Sequence, residues 1–522
     1  MFATMIIVLV SVAGCINGTE EPDPAGTEDM VLNIGTTNAI TSENVFSDYY
    51  LNIFYRVCAL TLTTMDEDGS IVGLAASHWD VSEDLSTWKF YVNDGYTWSD
   101  GTPLDMECVA YSFEWAAENG TTWLANVLDE MTYDESENSI TFNMNTSYAR
   151  FDLEMAAFPI YPKHVLETIE DIDTYTNTGT NIGFGPFYIS SIDLTSGTIV
   201  FEPNEYWGSA PNIDSFEIHI YENIDTLSLA LEKGDIDVYY NYASSYPYAN
   251  IAALEDTGDF EFLAWDNIGL TFMGLNLNSS PLDDLEFRTA ISYALNYEEM
   301  VALDALGYGS VPQAGFISPA MEYYKDTYQL TYDPDEAASI LDAAGYELQE
   351  DGYRTTPEGE EIELRIVTRS DYQRLAEFVK EYCEDVGIKV SVEIVDKTTW
   401  IAMKDGYDYD MTITRSTPWG MLMHANWGSG YFDSRRSGAG VLHILDDEEY
   451  LALCDNILAT TDAALLRSYA YELQDYFASE LPSIPFYWNT VVIPYAKGWT
   501  GWMPNPLYGI FNVATLTSLE RV

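Results

Sequence analysis

The strongest constraint on the fold is the repeated change between helix-type and strand-type patterns along the chain. Apolar residues recur at helical spacing from Tyr372 to Cys383, and this stretch ends at Gly387, a residue type that suits a helix C-terminus. Directly afterwards, apolar and polar residues alternate over residues 388–394, which predicts a half-buried strand. The same change occurs throughout the chain after residue 30, without an internal repeat, and therefore predicts α/β domains.

Several other segments have sequence patterns that predict strands or helices. Residues 31–35 and 88–92 read as strands, the second ending at an Asp94-Gly95 turn. A helix is predicted to begin at Pro103, with Thr102 as its N-cap and Asp105 in its first turn. Further helices are predicted over residues 287–295, 333–345, 451–458 and 466–476.

Length and charge limit the classes of protein. The chain has 522 residues, which favours about three domains, and its 47% hydrophobic content is enough to bury full cores. The formal net charge is −64 at pH 7. Such a negative field repels nucleic acid and anionic membrane surfaces, so neither is expected as a partner.

The N-terminal residues predict export. Residues 5–13 form an apolar run that is too short to span a bilayer, and Val12-Ala13-Gly14-Cys15 follows as small residues before a cysteine. This pattern resembles the lipobox of secreted lipoproteins. It implies a signal peptide over residues 1–14, lipidation of Cys15 and a disordered tether over residues 15–30. The alternative is an ordinary N-terminal core strand.

Four cysteines remain beside Cys15, and they allow three disulfide pairings. No Cys-x-x-Cys pair is present, which disfavours a cysteine metal knuckle. Cys108, Cys383 and Cys454 lie in helical patterns beside apolar residues, so we predict buried free thiols there.

Motifs that carry catalytic chemistry are missing. The sequence has no Gly-x-Ser-x-Gly elbow, no P-loop and no Gly-x-Gly-x-x-Gly, and its five histidines form no His-Glu-x-x-His. We therefore predict a binding protein, not an enzyme. Two alternatives stay open: a secreted carbohydrate-active hydrolase using a carboxylate pair, because acidic residues are abundant, and a structural surface-layer protein.

Six stretches resemble, in order, the extracellular solute-binding proteins of ABC importers, in the peptide/nickel class known as family 5. They include Gly183-Phe-Gly-Pro-Phe-Tyr188 and Asn204-Glu-Tyr-Trp-Gly208. The six stretches cover residues 73–104, 183–208, 231–238, 274–295, 332–346 and 386–411. The resemblance implies a periplasmic-binding-protein-like α/β fold of two lobes with a hinge and an extra inserted domain. It divides the chain into lobe I (31–65, 183–270 and 490–522), the extra domain (66–182) and lobe II (271–489).

The resemblance also implies the function. A monomer held by Cys15 on the extracytoplasmic face of the membrane would capture a small solute between its lobes and deliver it to ABC permease subunits. Peptide binders of this class commonly place an Asp after the strand that carries the motif Tyr407-Asp-Tyr-Asp-Met411, and Arg415 is the one cation at the end of this strand. In this chain no Asp follows until Asp433, so the usual anchor for a peptide amine is missing or moved.

Nickel-binding members resemble the chain in Trp419-Gly420 and Trp123-Leu124, where two tryptophans line the cavity. Gly120 stands near one expected arginine, and residues 157–162 contain no arginine where the other is expected. No resident cofactor is predicted, and a nickel or metal chelate remains a candidate cargo. His424 and His443 are candidate metal ligands. Candidate ligand-binding residues are Trp123, Arg415, Trp419, Met423, His424, Asn426 and Trp427.

Overall fold

The computed structural model describes residues 29–118, 122–176, 183, 185–208, 210–418 and 447–522. Helices and strands alternate through these residues, as the sequence patterns predict. Within the same ranges, no helix combines the length and the apolar character that a membrane crossing requires.

The strands and helices are numbered in chain order. The strands are β1 Val31–Thr36, β2 Thr63–Met65, β3 Ile71–Gly73, β4 Ala76–Val81, β5 Thr87–Val92, β6 Leu128–Asp134, β7 Ser139–Met144, β8 Phe187–Asp193, β9 Thr198–Pro203, β10 Ser215–Ile220, β11 Val238–Tyr239, β12 Phe260–Asp266, β13 Thr271–Leu275, β14 Gly309–Ser310, β15 Glu363–Thr368, β16 Lys389–Ile394, β17 Met411–Arg415, β18 Ser483–Ala496, β19 Trp499–Thr500 and β20 Glu520–Arg521. The α-helices are α1 Tyr49–Cys58, α2 Met106–Glu118, α3 Thr122–Val127, α4 Phe151–Met155, α5 Lys163–Leu166, α6 Ile224–Lys233, α7 Tyr248–Thr257, α8 Leu285–Ala294, α9 Tyr297–Leu303, α10 Pro334–Ala343, α11 Gln373–Asp385, α12 Lys397–Asp405, α13 Glu448–Leu458, α14 Ala463–Glu480 and α15 Val513–Ser518. Short 3₁₀ turns cover Ile172–Thr174 and Ser370–Tyr372.

One mixed sheet runs through most of the molecule, in the order β16-β15-β17-β13-β18-β11-β1-β10-β9-β8, with β12 and β14 also paired to β18. We call the part built on β1 and β8–β12 the first lobe, and the part built on β13 and β15–β17 the second lobe. Separate apolar clusters fill them, around Ile34 and Phe216 in the first lobe and around Phe287 and Ile366 in the second.

Strand β18 connects the two lobes. Its first residues pair with β13, where Ser483 lies opposite Gly274, and its last residues pair with β12, where Ala496 lies opposite Phe260. A single 14-residue strand therefore belongs to both lobes. This is the two-lobed α/β fold with a hinge that the resemblance implies.

A separate antiparallel sheet has the order β4-β5-β7-β6 and packs against α2. Its aromatic residues form a core of their own, in which Phe142 meets the rings of Phe113 at 4.8 Å and Phe151 at 5.0 Å. This sheet forms the body of the extra domain. The residue boundaries between the three parts remain a prediction.

The helix signals are confirmed with one correction. Asp333 caps α10 by accepting a hydrogen bond from the Glu336 amide, as its position before Pro334 predicts. The predicted start of α2 at Pro103 is wrong, because the helix begins at Met106. Pro103 instead pairs with Thr97 in a β-bridge, and the Asp105 carboxylate accepts from the Cys108 amide at 2.7 Å. Asp105 therefore acts as the cap.

The prediction of buried free thiols is confirmed for Cys108 and Cys383, and Cys58 is also buried and free. Cys454 is buried as predicted. Burial raises the pKa of the Cys108 thiol to about 11 and that of the Cys383 thiol to about 12. At neutral pH these thiols are protonated and behave as small apolar side chains.

Candidate functional site

A cavity of about 440 Å³ lies between the two lobes. It is lined by segments that follow β1 and β11 in the first lobe and β15 and β17 in the second. Strands β1 and β11 run parallel, as do β15 and β17, so these segments leave the carboxyl ends of parallel strands. Ligands of α/β sheets bind outside such ends, and the volume falls in the range of small-molecule sites. The lining segments include residues 37–38, 241–248, 369–372 and 415–416.

Arg415 is the last residue of β17, and its side chain lines the cavity. Its Nη1 donates a hydrogen bond to the Ser244 hydroxyl, and its Nη2 donates to the Tyr242 carbonyl at 3.3 Å. Within the described residues, no carboxylate forms an ion pair with Arg415. Burial acts to lower the pKa of Arg415, but the neighbouring tyrosines outweigh burial and the pKa is raised. Arg415 is therefore a permanent cation held by neutral partners.

A second arginine, Arg369, directly follows β15 and lines the same cavity. Its Nη2 lies 3.7 Å from the Asp371 carboxylate. Its guanidinium also lies 5.3 Å from the ring centre of Tyr372 and 5.2 Å from that of Trp400, which are cation–π distances. Arg369 is thus partly neutralised and fixed in place by its own lobe.

Tyrosines form another part of the cavity wall, and contacts with residues that do not line the cavity hold them in place. The Tyr248 ring stacks on Tyr308 at 4.8 Å, and its hydroxyl donates to the Thr490 carbonyl. The Tyr487 hydroxyl donates to the Asp304 carboxylate at 2.6 Å. Burial raises the pKa of both Asp304 and Tyr487. These bonds fix the rings before any solute binds.

The structure places one of the predicted ligand-binding residues, Arg415, at the cavity. Trp123 belongs to α3, and its side chain lies outside the described part of the chain. The remaining candidates also lie outside the described residues: Trp419, Met423, His424, Asn426, Trp427 and His443, together with Cys15. The described ranges hold no group of three or more His, Cys, Asp or Glu residues arranged to bind a metal ion.

Sequence reasoning missed Arg369 and the tyrosines of the wall. A usable signal existed for Arg369, because it follows an apolar strand as directly as Arg415 does. Parallel strands end at the same edge of a sheet, so both arginines belong there. No local signal marks Tyr248 or Tyr487, which are two among 39 tyrosines.

Two α/β lobes joined by a shared strand, with a polar cavity between them, define the architecture of a solute-binding protein. A model of the family "Bacterial extracellular solute-binding proteins, family 5 Middle" matches residues 71–438. The chain belongs to this family, as the six sequence stretches predict.

Similar proteins and solved structures agree with this family assignment. The nickel-binding periplasmic protein of Escherichia coli (strain K12) is 25% identical over 379 residues, which cover 71% of this chain and 70% of the relative. The probable D,D-dipeptide-binding periplasmic protein DdpA of the same organism is 24% identical over 462 residues, covering 86% and 85%. A periplasmic oligopeptide-binding protein of Thermotoga maritima superposes with a TM-score of 0.80 at 20% identity, covering 95% of this chain and all of that one. At the level of the family, these are binding proteins of transport systems and not enzymes.

Proposed function

We propose that the chain is the solute-binding component of an ABC importer. It captures a small solute in the cavity between its lobes and delivers it, unchanged, to permease subunits in the membrane. We further propose that it works as a monomer on the extracytoplasmic face, anchored by a lipid on Cys15. The names of the relatives, which are periplasmic binding proteins, support the role.

One observation carries this proposal: the cavity wall comes from both lobes, which share β18. Asn241 and Tyr248 come from the first lobe, whereas Arg369 and Arg415 come from the second. A solute that contacts both lobes stabilises the closed arrangement over an open one, since it gains all of its contacts only when they meet. The permease then has a distinct closed surface to recognise.

The solute class stays open among short peptides, a metal complex and another small organic solute. Relatives named for nickel and for D,D-dipeptides represent the first two. We propose that Arg415 contacts the solute together with the other candidate residues, namely Trp123, Trp419, Met423, His424, Asn426 and Trp427. For a metal cargo, His424 and His443 are the proposed ligands. The proposed lobes and extra domain keep the boundaries given above.

A thermal-shift screen tests the role. Purified full-length protein is mixed with short peptides, nickel with and without histidine, and organic cations. A bound solute raises the free energy of unfolding by RT ln(1 + [L]/Kd), about 2.7 kcal/mol at a hundredfold excess over Kd. Mass spectrometry of the recovered solute should show it unaltered. The proposal fails if no solute shifts melting, or if the solute is consumed.

A cavity-filling variant locates the binding. Thr37 lines the cavity, and Thr37→Trp should abolish the ligand-induced shift. Thr195→Trp, on an exposed loop, is the matched control and should keep it. An unchanged shift in Thr37→Trp places binding elsewhere.

The lipid anchor is tested separately. Cys15→Ser should move the protein from the membrane fraction to the soluble fraction of cells. A Cys58→Ser variant controls for loss of a cysteine in general. Membrane association that survives Cys15→Ser contradicts the anchor.

A further inference from the structure

The described residues that line the cavity have a net positive charge, opposite to the net charge of the whole chain. The chain carries −64, yet the described cavity lining contains two arginines, Arg369 and Arg415, against one carboxylate, Asp371. Asp371 is within ion-pair distance of Arg369. A positive charge buried between lobes of such an acidic chain is costly to keep, because burial removes its water. Its presence therefore points to a negative partner.

Among the residues that the structure describes, only part of the hydrogen-bonding capacity of Arg415 is used. A guanidinium has five N–H donors. The described residues accept two hydrogen bonds from Arg415, one at the Ser244 hydroxyl and one at the Tyr242 carbonyl, and both acceptors are neutral. A carboxylate provides two oxygens in the planar geometry that matches a guanidinium edge. One carboxylate would also balance the single excess charge of the described lining.

The described lining offers little to a cation. Asp371 is the one acidic residue there, it is exposed, and Arg369 already contacts it. The rest of the wall is rich in hydroxyl and amide groups, among them those of Asn38, Ser245 and Asn489. Such groups suit a polar, hydrogen-bonding solute, and none of them carries the negative charge that would pair with an ammonium group.

We propose that the solute is a small polar carboxylate, held through its carboxylate group by Arg415, and that binding requires no free amine. This inference rests on the proposed function and narrows its solute class. Because Arg415 also contacts Ser244 and Tyr242 of the first lobe, the carboxylate is bound where the two lobes meet. Binding of the charge is thereby coupled to closure.

The contrast in charge has a kinetic consequence. An anionic solute must approach a chain of net charge −64, and this repulsion is long-ranged and screened by salt. Its association rate constant should therefore rise with ionic strength, whereas that of a cationic solute should fall. The short-range contact with Arg415 is shielded from solvent and is screened much less.

Blocked peptides and simple acids separate the possible anchors. Calorimetry on the full-length protein compares N-acetylated dipeptides and tripeptides, which keep the carboxylate, with the C-terminal amides of the same peptides, which keep the amine. Citrate and gluconate are included as carboxylic acids that are not peptides. We expect binding in the acid arm and a loss of at least tenfold in affinity in the amide arm. Equal or tighter binding of the amides would contradict the proposal that the carboxylate anchors the solute, but it would leave the proposed function standing. No binding in any arm counts against both.

Two variants test whether Arg415 is the residue that binds the carboxylate. Arg415→Gln should weaken the acids found to bind by roughly 10- to 100-fold, the range for losing hydrogen bonds to a charged group. Arg467→Gln makes the same charge change at an exposed site on α14 and should bind as the wild type does. Acid binding that survives Arg415→Gln overturns the inference, and circular dichroism verifies that both variants are folded.

Stopped-flow measurements of tyrosine and tryptophan fluorescence test the predicted repulsion, using the acid that binds with the highest affinity. Between 0.15 M and 1 M NaCl, the association rate constant should rise by roughly threefold or more in the wild type and in Arg467→Gln. A rate constant that falls with salt would mean that the positive charge at the cavity, and not the net charge of the chain, governs the approach of the acid, and it contradicts the predicted repulsion.

Discussion

The guanidinium of Arg415 in the second lobe donates a hydrogen bond to the hydroxyl of Ser244 in the first lobe, 171 positions earlier in the chain. Arg415 ends β17, and Ser244 lies in the segment after β11. The guanidinium of Arg415 is therefore oriented by the opposite lobe. Its position depends on how the lobes meet and on neither lobe alone.

Removing that bond should weaken solute binding. We expect Ser244→Ala to lower affinity by roughly three- to tenfold, because one hydrogen bond that orients Arg415 is lost. Calorimetry with a solute found by the screen measures the change. Ser391→Ala removes a hydroxyl from the edge strand β16, away from the cavity, and should leave affinity unaltered. Equal affinities for the two variants would show that Ser244 does not position Arg415.

A second contact between the lobes involves Lys397 of α12. Its Nζ lies 5.0 Å from the ring centre of Tyr49 and 4.8 Å from that of Tyr50, both on α1. Helix α1 packs in the core of the first lobe, whereas α12 is joined to β17 by the bond from Trp400 to Thr412. Each exposed cation–π contact contributes about 0.5–1 kcal/mol.

Lys397→Met should therefore speed solute release by roughly two- to fivefold, because the closed arrangement loses this contact. Stopped-flow dissociation measures the rate constant. Lys389→Met is the matched control, since Lys389 pairs with Glu363 inside the second lobe. The predicted role is refuted if both variants release solute at the wild-type rate.

Gly185 has a packing reason to be glycine. A Cβ atom at this position would lie 1.4 Å from the carbonyl oxygen of Cys58, a backbone atom that cannot move aside. Gly185→Ala should destabilise the first lobe by roughly 2–4 kcal/mol. Urea denaturation followed by fluorescence measures the loss. Gly208, in the same family stretch, has open space around its Cβ position among the described residues, so Gly208→Ala should change stability by less than about 1 kcal/mol.

Cys383 should make stability fall at alkaline pH. Burial raises its pKa in the folded protein from 9.0 to about 12. Between these values the unfolded chain loses the thiol proton while the folded chain keeps it, so stability that is intact below pH 9 declines up to about pH 12. At pH 10.5 the cost is about 2 kcal/mol, from 1.36 kcal/mol for each pH unit.

Cys383→Ala removes this titration. Urea denaturation at pH 8 and pH 10.5 should show a smaller loss of stability in the variant than in the wild type, by about 2 kcal/mol. The comparison is between the two pH values within each protein, so the cavity left by the smaller side chain cancels. The same loss in both proteins would mean that Cys383 ionises at its ordinary pKa.

Local signals were sufficient where a single residue controls the backbone. Asp333 caps α10 because its carboxylate accepts a hydrogen bond from an amide three residues away. This contact depends only on the residue type and its spacing, so the sequence predicts it. The start of α2 was misjudged at Thr102-Pro103, since the same residue types also suit a β-bridge. The pairing of Pro103 with Thr97 decided between them.

The sequence by itself determined the alternation of helices and strands, the family and the presence of an arginine at the end of β17. These depend on periodicity, capping and short motifs, which act over a few residues. Only the tertiary structure decided that Arg415 shares a cavity with Arg369 and contacts Ser244. Contacts between residues more than a hundred positions apart arise from the order of strands in the sheet and the joining of the lobes by β18. No local pattern records that order, because each strand is compatible with several neighbours until the whole sheet forms.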